Sequence, residues 1–95
     1  MDAVGQAIQT LTSRRATMRR SDLVSVLDSL GFVVKDGTKP HHFIVKHSGL
    51  SEFPGSHFAA THGRDGLVKP CYTRSMRMLI EERSEELRTF LEQRR

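Results

Sequence analysis

Hydrophobic residues spaced three and four positions apart predict two helices in the first third of the chain. The first apolar stripe covers residues 2–12 and predicts a short amphipathic helix. The second lies between Ser21-Asp22, which offers an N-cap, and Gly31, a residue type that commonly follows a helix C-terminus. Residues 13–20 separate the two stripes and contain four arginines. This composition is typical of a solvated linker, or of a basic surface segment that binds phosphate groups.

Between residues 32 and 62 the pattern changes to that of β-strands. β-Branched and aromatic residues fill 32–35 and 43–46, and the polar residues 36–40 between them have the composition of a hairpin turn. A loop rich in turn-forming residues follows. Residues 57–62 favour a third strand, which an Asp-Gly turn ends.

A final apolar stripe begins after Pro70, a residue that is favoured in the first turn of a helix. The stripe continues for about five turns. Residues 84–86 are also suited to cap a separate short helix, and both alternatives stay open. In either case Leu87, Phe90 and Leu91 need an apolar partner, either from this chain or from another one. A homodimer through the C-terminal helix is one such arrangement.

These elements predict an α+β fold in the order α-α-β-β-β-α. Three antiparallel strands with helices packed on one face leave the other face of the sheet open to solvent. A chain of 95 residues is large enough for a single core. We therefore predict one domain over residues 1–95, with a core at 21–82 and helical extensions at 1–20 and 83–95.

The chain carries an excess of basic residues, which bears on the kind of partner that it could bind. The net charge is +4, and residues 1–80 hold 11 basic and 6 acidic side chains. Such an excess is compatible with a polyanionic partner, because neutralising phosphates gives sequence-independent affinity.

Cys71 is the only cysteine, so neither an internal disulfide nor a cysteine-rich zinc site can form. At a helix start Cys71 is either a nucleophile or a buried structural thiol, and we expect the buried thiol. The absence of a long apolar run or a signal-peptide pattern predicts a cytoplasmic protein without a membrane partner.

The most unusual feature of the sequence is a cluster of histidines between residues 41 and 62. All the histidines of the chain lie there: His41, His42, His47, His57 and His62. A metal centre needs three or four converging ligands, and the cluster has neither a helical His-x-x-x-His pair nor a nearby cysteine. We assign no metal and no cofactor. Catalysis instead needs one imidazole beside cationic groups that hold a phosphate.

Strand alternation selects one of these histidines. In the second predicted strand His42 and Lys46 share one face, and Phe43 and Val45 share the other. If Phe43 and Val45 point into the core, His42 and Lys46 lie side by side on the open face of the sheet. We therefore expect chemistry at His42.

Three segments together resemble a known family. They are SDLVSVLDSLGF, KPHHFIVKHSGL and VKPCYTRSMRMLIEE, within about residues 20–82. They resemble HicA-type (YcfA-like) toxins, the small mRNA interferases of bacterial toxin–antitoxin pairs. In that family a helix ends in leucine-glycine-aromatic, and a strand opens with glycine-serine-histidine and closes in basic-histidine-proline-glycine. Lysine-proline-tyrosine often introduces the last helix.

The resemblance can be carried over residue by residue. When His47 is aligned with the closing histidine of the family, His42 falls on the catalytic histidine and Lys46 on the basic residue. Pro40-His41 stands where the family has glycine-serine, so His41 is a rival for the catalytic position. Ser48 replaces the family's proline.

The resemblance implies a dsRBD-like fold and a metal-independent endoribonuclease that cleaves mRNA and arrests translation, with a HicB-type antitoxin as partner. It implies that His42, or else His41, acts as general acid or base, and that nearby cations stabilise the phosphorane. The predicted RNA-binding residues are Lys39, Lys46, Arg64, Lys69 and Arg74. An alternative from a different class is a non-catalytic RNA-binding module, in which the same basic face holds phosphates.

Overall fold

The computed structural model describes residues 1–94, which form four helices and one three-stranded antiparallel sheet. The elements are α1 (Ala3–Ser13), α2 (Arg20–Ser29), β1 (Val33–Asp36), β2 (His42–Lys46), β3 (Ser56–Ala59), α3 (Pro70–Glu82) and α4 (Ser84–Gln93). The strands adjoin in chain order, so β2 is central. The predicted α+β class and antiparallel sheet are confirmed. The order is α-α-β-β-β-α-α, because the last predicted helix is divided in two.

Short polar contacts set the ends of the first two helices. At α1, Asp2 Oδ1 accepts a hydrogen bond from the Gly5 N–H at 2.8 Å. At α2 the N-cap is Arg19, two residues before the predicted Ser21, and Asp22 is the third residue of the helix. The Asp22 carboxylate accepts a hydrogen bond from the Arg19 N–H at 3.0 Å, as in a capping box. Gly31 follows α2 with φ 90°, the left-handed conformation that favours glycine at this position.

The two faces of the sheet differ as the alternation of β2 predicts. Val45 is fully buried, whereas His42 and Lys46 are exposed. On the buried face Phe43 stacks on Phe58 of β3, with ring centroids 5.1 Å apart. The helices contribute the rest of this core, and the opposite face of the sheet is open to solvent.

The two C-terminal helices are separate elements that pack on their own chain. The backbone leaves helical geometry at Arg83, with φ −105° and ψ 18°. Leu87 is fully buried, and the Phe90 ring lies against His47 with centroids 4.5 Å apart. Leu91 also packs against the core. This chain therefore supplies the apolar partner that the stripe requires, and a homodimer through the helix stays a prediction. No helix in residues 1–94 is long and apolar enough to span a membrane.

His47 is a buried polar residue that joins several elements. Its ring lies edge-on to Phe32 and Phe90, with centroids 4.6 and 4.5 Å away. Nδ1 accepts a hydrogen bond from the Gly49 N–H at 3.0 Å, so Nε2 carries the proton and donates to the Leu30 carbonyl oxygen at 2.9 Å. Because only the neutral ring can make both bonds, His47 has a structural role.

A short segment before α3 covers the outer edge of β3. Val68 pairs with Ala60, and Leu67 pairs with Arg19 on its other side. The third strand is therefore shorter than predicted, and single bridges continue the sheet. The start of α3 lies next to β3 as a result. Cys71 is exposed there, so the expectation of a buried thiol is wrong.

We expect His47→Ala to lower the free energy of unfolding by about 2–4 kcal/mol, because it leaves the Leu30 carbonyl without its partner and removes two ring contacts. Urea unfolding measures this change. His57→Ala, an exposed histidine on the sheet, is the matched control and should change the free energy by less than about 0.5 kcal/mol. Equal stability of the two variants would contradict the structural role of His47.

Candidate active site

A depression lies on the sheet near the start of β2, with a volume of about 310 Å³. Its lining residues come from the β1–β2 turn, β2 and β3: Gly37, Thr38, Lys39, His42, Phe43, Ile44 and His57. The ionisable groups among them are two imidazoles and one ammonium. None of the lining residues is acidic, so the depression suits an anion.

The turn between β1 and β2 positions His42. The Gly37 N–H donates to the His42 carbonyl oxygen at 2.8 Å, and the His42 N–H donates to the Lys39 carbonyl oxygen at 3.2 Å. A Cβ on Gly37 would lie 3.0 Å from the His42 carbonyl oxygen, closer than nearly all real Cβ contacts. Glycine therefore permits the close turn that brings Lys39 to the same end of the sheet as His42.

The pairing of β2 with β3 brings a second imidazole to this face. His42 pairs with Ala59, and Ile44 pairs with His57. His42 and His57 are therefore diagonal neighbours on one face, a relation that places Cβ atoms about 7 Å apart. The His57 ring lies edge-on to Tyr72 of α3, with centroids 5.9 Å apart. His57 is not among the predicted site residues, because its approach to His42 depends on the register of two strands.

Lys46 shares a face with His42 but does not lie beside it. The two residues are four positions apart in one strand, a separation of about 13 Å, with Ile44 between them. The Lys46 ammonium donates a hydrogen bond to the Pro54 carbonyl oxygen at 2.8 Å. The prediction that Lys46 and His42 lie side by side is therefore wrong.

His41 belongs to a different pair of histidines. Its φ is 64°, a left-handed conformation that is uncommon for residues other than glycine. Its ring lies against that of His62, with centroids 4.5 Å apart. The His41 carbonyl oxygen accepts a hydrogen bond from the Ala60 N–H at 3.0 Å. His41 is not among the residues that line the depression beside His42.

Lys69 is a second cation that the sheet brings toward His42. It follows Val68, which pairs with Ala60, the residue after Ala59. Ala59 in turn pairs with His42. Two strand spacings separate Lys69 from His42, a distance of about 10 Å between backbones.

The other two predicted RNA-binding residues lie outside this depression. Arg64 is exposed in the turn after β3 and lines a second depression of about 380 Å³, together with His62 and Arg19. Arg74 is exposed on α3. Both are available to an extended ligand, but neither lines the depression that contains His42.

Asp65 ties the turn that carries Arg64 to the start of α2. Its carboxylate accepts hydrogen bonds from the Ser21 N–H at 3.0 Å and the Ser21 hydroxyl at 2.8 Å. The Arg19 guanidinium donates to the Asp65 carbonyl oxygen at 2.9 Å. The hydrogen bonds from Ser21, the backbone one first, hold the pKa of the Asp65 carboxyl below its ordinary value of 3.8.

The ion pairs within the described part of the chain all use arginine and not lysine. They join Arg14 to Asp22, Arg77 to Glu81, Arg83 to Glu86 and Arg88 to Asp2. All of these arginines lie in the helices or at their ends. The lysines, in contrast, lie in the strands and the segments that flank them. Within residues 1–94, carboxylates therefore pair with arginines of the helical layer, and none forms an ion pair with a lysine of the sheet.

Over residues 1–94, no group of three or more His, Cys, Asp or Glu side chains lies close enough together to hold a metal ion. The histidines outside the core form pairs: His42 with His57, and His41 with His62. The chemistry that the first pair can perform unaided is proton transfer, beside an ammonium that attracts phosphate.

Comparison with known proteins assigns no family to the chain. It matches no protein-family model, no curated protein and no solved structure. The positions and charges of the side chains described above are therefore the basis of the functional conclusion.

We expect Asp65→Asn to lower the melting temperature at neutral pH, because the amide replaces a charged acceptor at the start of α2. A lowered folded pKa means that ionised Asp65 stabilises the fold above the ordinary carboxyl pKa of 3.8. This contribution is lost as the pH falls through the lower folded value. The difference in melting temperature between wild type and variant should therefore shrink below about pH 4.

Thermal unfolding followed by circular dichroism between neutral and strongly acidic pH measures this difference. Asp28→Asn is the matched control, since Asp28 is an exposed aspartate of α2, the helix to which Asp65 is hydrogen-bonded. The Asp28 side chain makes no hydrogen bond with any described residue. If the difference in melting temperature between wild type and Asp65→Asn stays constant with pH, ionised Asp65 does not stabilise the fold as described.

Proposed function

We propose that this protein is a metal-independent endoribonuclease with a dsRBD-like form of the α+β fold. We propose further that it is the toxin of a toxin–antitoxin pair of the HicA type. The observation that carries the proposal is the position of His42. It is exposed on the open face of the sheet, in a depression that it shares with Lys39 and that has no acidic lining. A phosphodiester is an anion, so this depression attracts it and presents it to an imidazole.

In the proposed reaction the ribose 2′-hydroxyl attacks the adjacent phosphate. His42 serves as general acid or base, and Lys39 stabilises the negative charge that develops on the phosphorane. The products are a 2′,3′-cyclic phosphate and a 5′-hydroxyl. Lys46 takes no part in this step, because its ammonium is bound to the Pro54 carbonyl oxygen. It contributes to RNA binding through its charge alone.

The remaining cations extend the proposed RNA surface. Lys69, Arg64 and Arg74 are exposed, so each can contact a phosphate away from the one that reacts. The protein would act in the cytoplasm, where mRNA is translated. A HicB-type antitoxin that covers the open face would block access to His42.

A non-catalytic RNA-binding module is the second candidate, and one observation favours it. The ammonium expected beside His42 is instead bound to a loop carbonyl, so the candidate site has one cation fewer than the resemblance implies. In such a module the lysines of the sheet would hold phosphates, and His42 would be one contact among several. The two candidates differ in whether wild-type protein cleaves the RNA that it binds.

We expect His42→Ala to slow cleavage of RNA by at least about 100-fold, because it removes a general acid or base. Affinity for a non-cleavable RNA should stay within about threefold of wild type, because the lysines remain. Cleavage and binding of a fluorescent RNA measure the two quantities. In a bacterial culture, induced wild type but not His42→Ala should arrest growth with loss of mRNA.

The matched control for this experiment is His41→Gly, which removes the rival imidazole from a position whose φ of 64° glycine tolerates. This variant should cleave RNA like wild type. Loss of cleavage in His41→Gly alone would move the catalytic role to His41. RNA binding by wild type without any cleavage would favour the binding module.

We also expect cleavage to continue at an unchanged rate in EDTA, because no step uses a metal ion. Replacing the ribose at the cleavage site with deoxyribose should stop cleavage, because the 2′-hydroxyl is the nucleophile. Mass spectrometry of the products should show the 2′,3′-cyclic phosphate. Inactivation by EDTA, or cleavage of the deoxyribose substrate, would rule out this mechanism.

A further inference from the structure

The depression on the open face contains a second imidazole, that of His57, for which the mechanism above has no role. Cleavage through the 2′-hydroxyl requires two proton transfers. The attacking 2′-oxygen loses a proton, and the leaving 5′-oxygen gains one. These two oxygens lie on opposite sides of the phosphorus in an in-line displacement, so one imidazole cannot contact both at once. A second group on the far side of the phosphate completes the chemistry.

His57 is positioned to be that group. It is exposed, lines the same depression as His42, and is its diagonal neighbour across two paired strands. The Cβ atoms of diagonal cross-strand neighbours lie about 7 Å apart, which gives room for a phosphoryl group between the two imidazole rings. The edge-on contact with Tyr72 restricts the His57 ring from the side of α3.

The residues around His57 come from β1, the β1–β2 turn and the start of α3. Lys35 of β1 lies in the same cross-strand row, because it pairs with Ile44, the partner of His57. Asp36 pairs with Phe43, whose ring stacks on Phe58 on the buried face, and Asp36 is not among the residues that line the depression. Lys39 from the turn is the other ionisable residue that lines the depression, and Tyr72 at the start of α3 contacts the His57 ring. Neither Lys39 nor Tyr72 is a carboxylate or an imidazole.

We propose that His57 is a second catalytic residue, which divides the two proton transfers of RNA cleavage with His42. This inference rests on the proposed function. One imidazole accepts the 2′-hydroxyl proton while the O2′–P bond forms. The other, in its protonated form, donates its proton to the 5′-oxygen while the P–O5′ bond breaks. The two rings end with exchanged protonation states, which exchange with water restores, and no further reactant is consumed.

The test compares two RNA substrates of identical sequence. In one, the 5′-oxygen at the cleavage site is replaced by sulfur, which leaves without needing a proton. On ordinary RNA, His42→Ala and His57→Ala should each be slower by at least about 100-fold. On the sulfur substrate, the variant that lacks the general acid should recover to within about tenfold of wild type, whereas the other should stay slow.

The pH dependence of kcat/KM provides a second readout that a structural role would not change. Wild type should give a bell-shaped profile, and each single variant should lose one limb of it. His57→Gln, which keeps a polar side chain, should behave like His57→Ala. His62→Ala is the matched control, since His62 is an exposed histidine outside this depression, and it should keep both limbs.

The outcomes separate this inference from the proposed function. If His57→Ala and His57→Gln cleave RNA like wild type while His42→Ala does not, the role of His57 is refuted and the endoribonuclease proposal stands. If sulfur rescues neither variant, the division of proton transfers is refuted. If wild-type protein cleaves no RNA, both proposals fail together. Urea unfolding of each variant shows that a loss of rate does not reflect a loss of fold.

Discussion

The burial of Val45 against the helices determines the direction of every side chain in β2. This strand is paired on both sides, so a shift of one residue would move its apolar face to solvent and its polar face into the core. Phe43, which stacks on Phe58, opposes the same shift. The exposure of His42 is therefore a consequence of core packing. At the other end of the strand, the same packing places His47 among buried side chains.

The distribution of charge adds a second constraint to this geometry. Four arginines at the helices are paired with carboxylates, whereas the lysines lie in the sheet and its flanking segments. Exposed ion pairs of this kind contribute little to stability, because solvent screens them. Their larger consequence is that these four carboxylates lie on the helical layer. The open face of the sheet is left with imidazole and ammonium groups, which suits it to a polyanion.

Features that depend on a single element could be predicted from the sequence. Helical spacing, together with Gly31 and Pro70, located the C-terminal end of α2 and the start of α3. The twofold alternation of β2 correctly placed His42 on the open face. The break at Arg83 remained one of two alternatives, because the apolar stripe continues across it and the local sequence favours neither outcome strongly.

The sequence by itself thus determined the elements, the α+β class and the outward direction of His42, because helix and strand periodicities are properties of neighbouring residues. Only the tertiary structure decided what lies around His42. The β2–β3 register places His57 diagonally across from His42. The Lys46 ammonium donates a hydrogen bond to the Pro54 carbonyl oxygen instead of lying beside His42. His47 is part of the core, because its ring contacts the Leu30 carbonyl oxygen after α2, the Gly49 N–H after β2 and the Phe90 ring of α4. Each of these outcomes depends on segments that are distant in the chain, and their relative positions are set by packing and register.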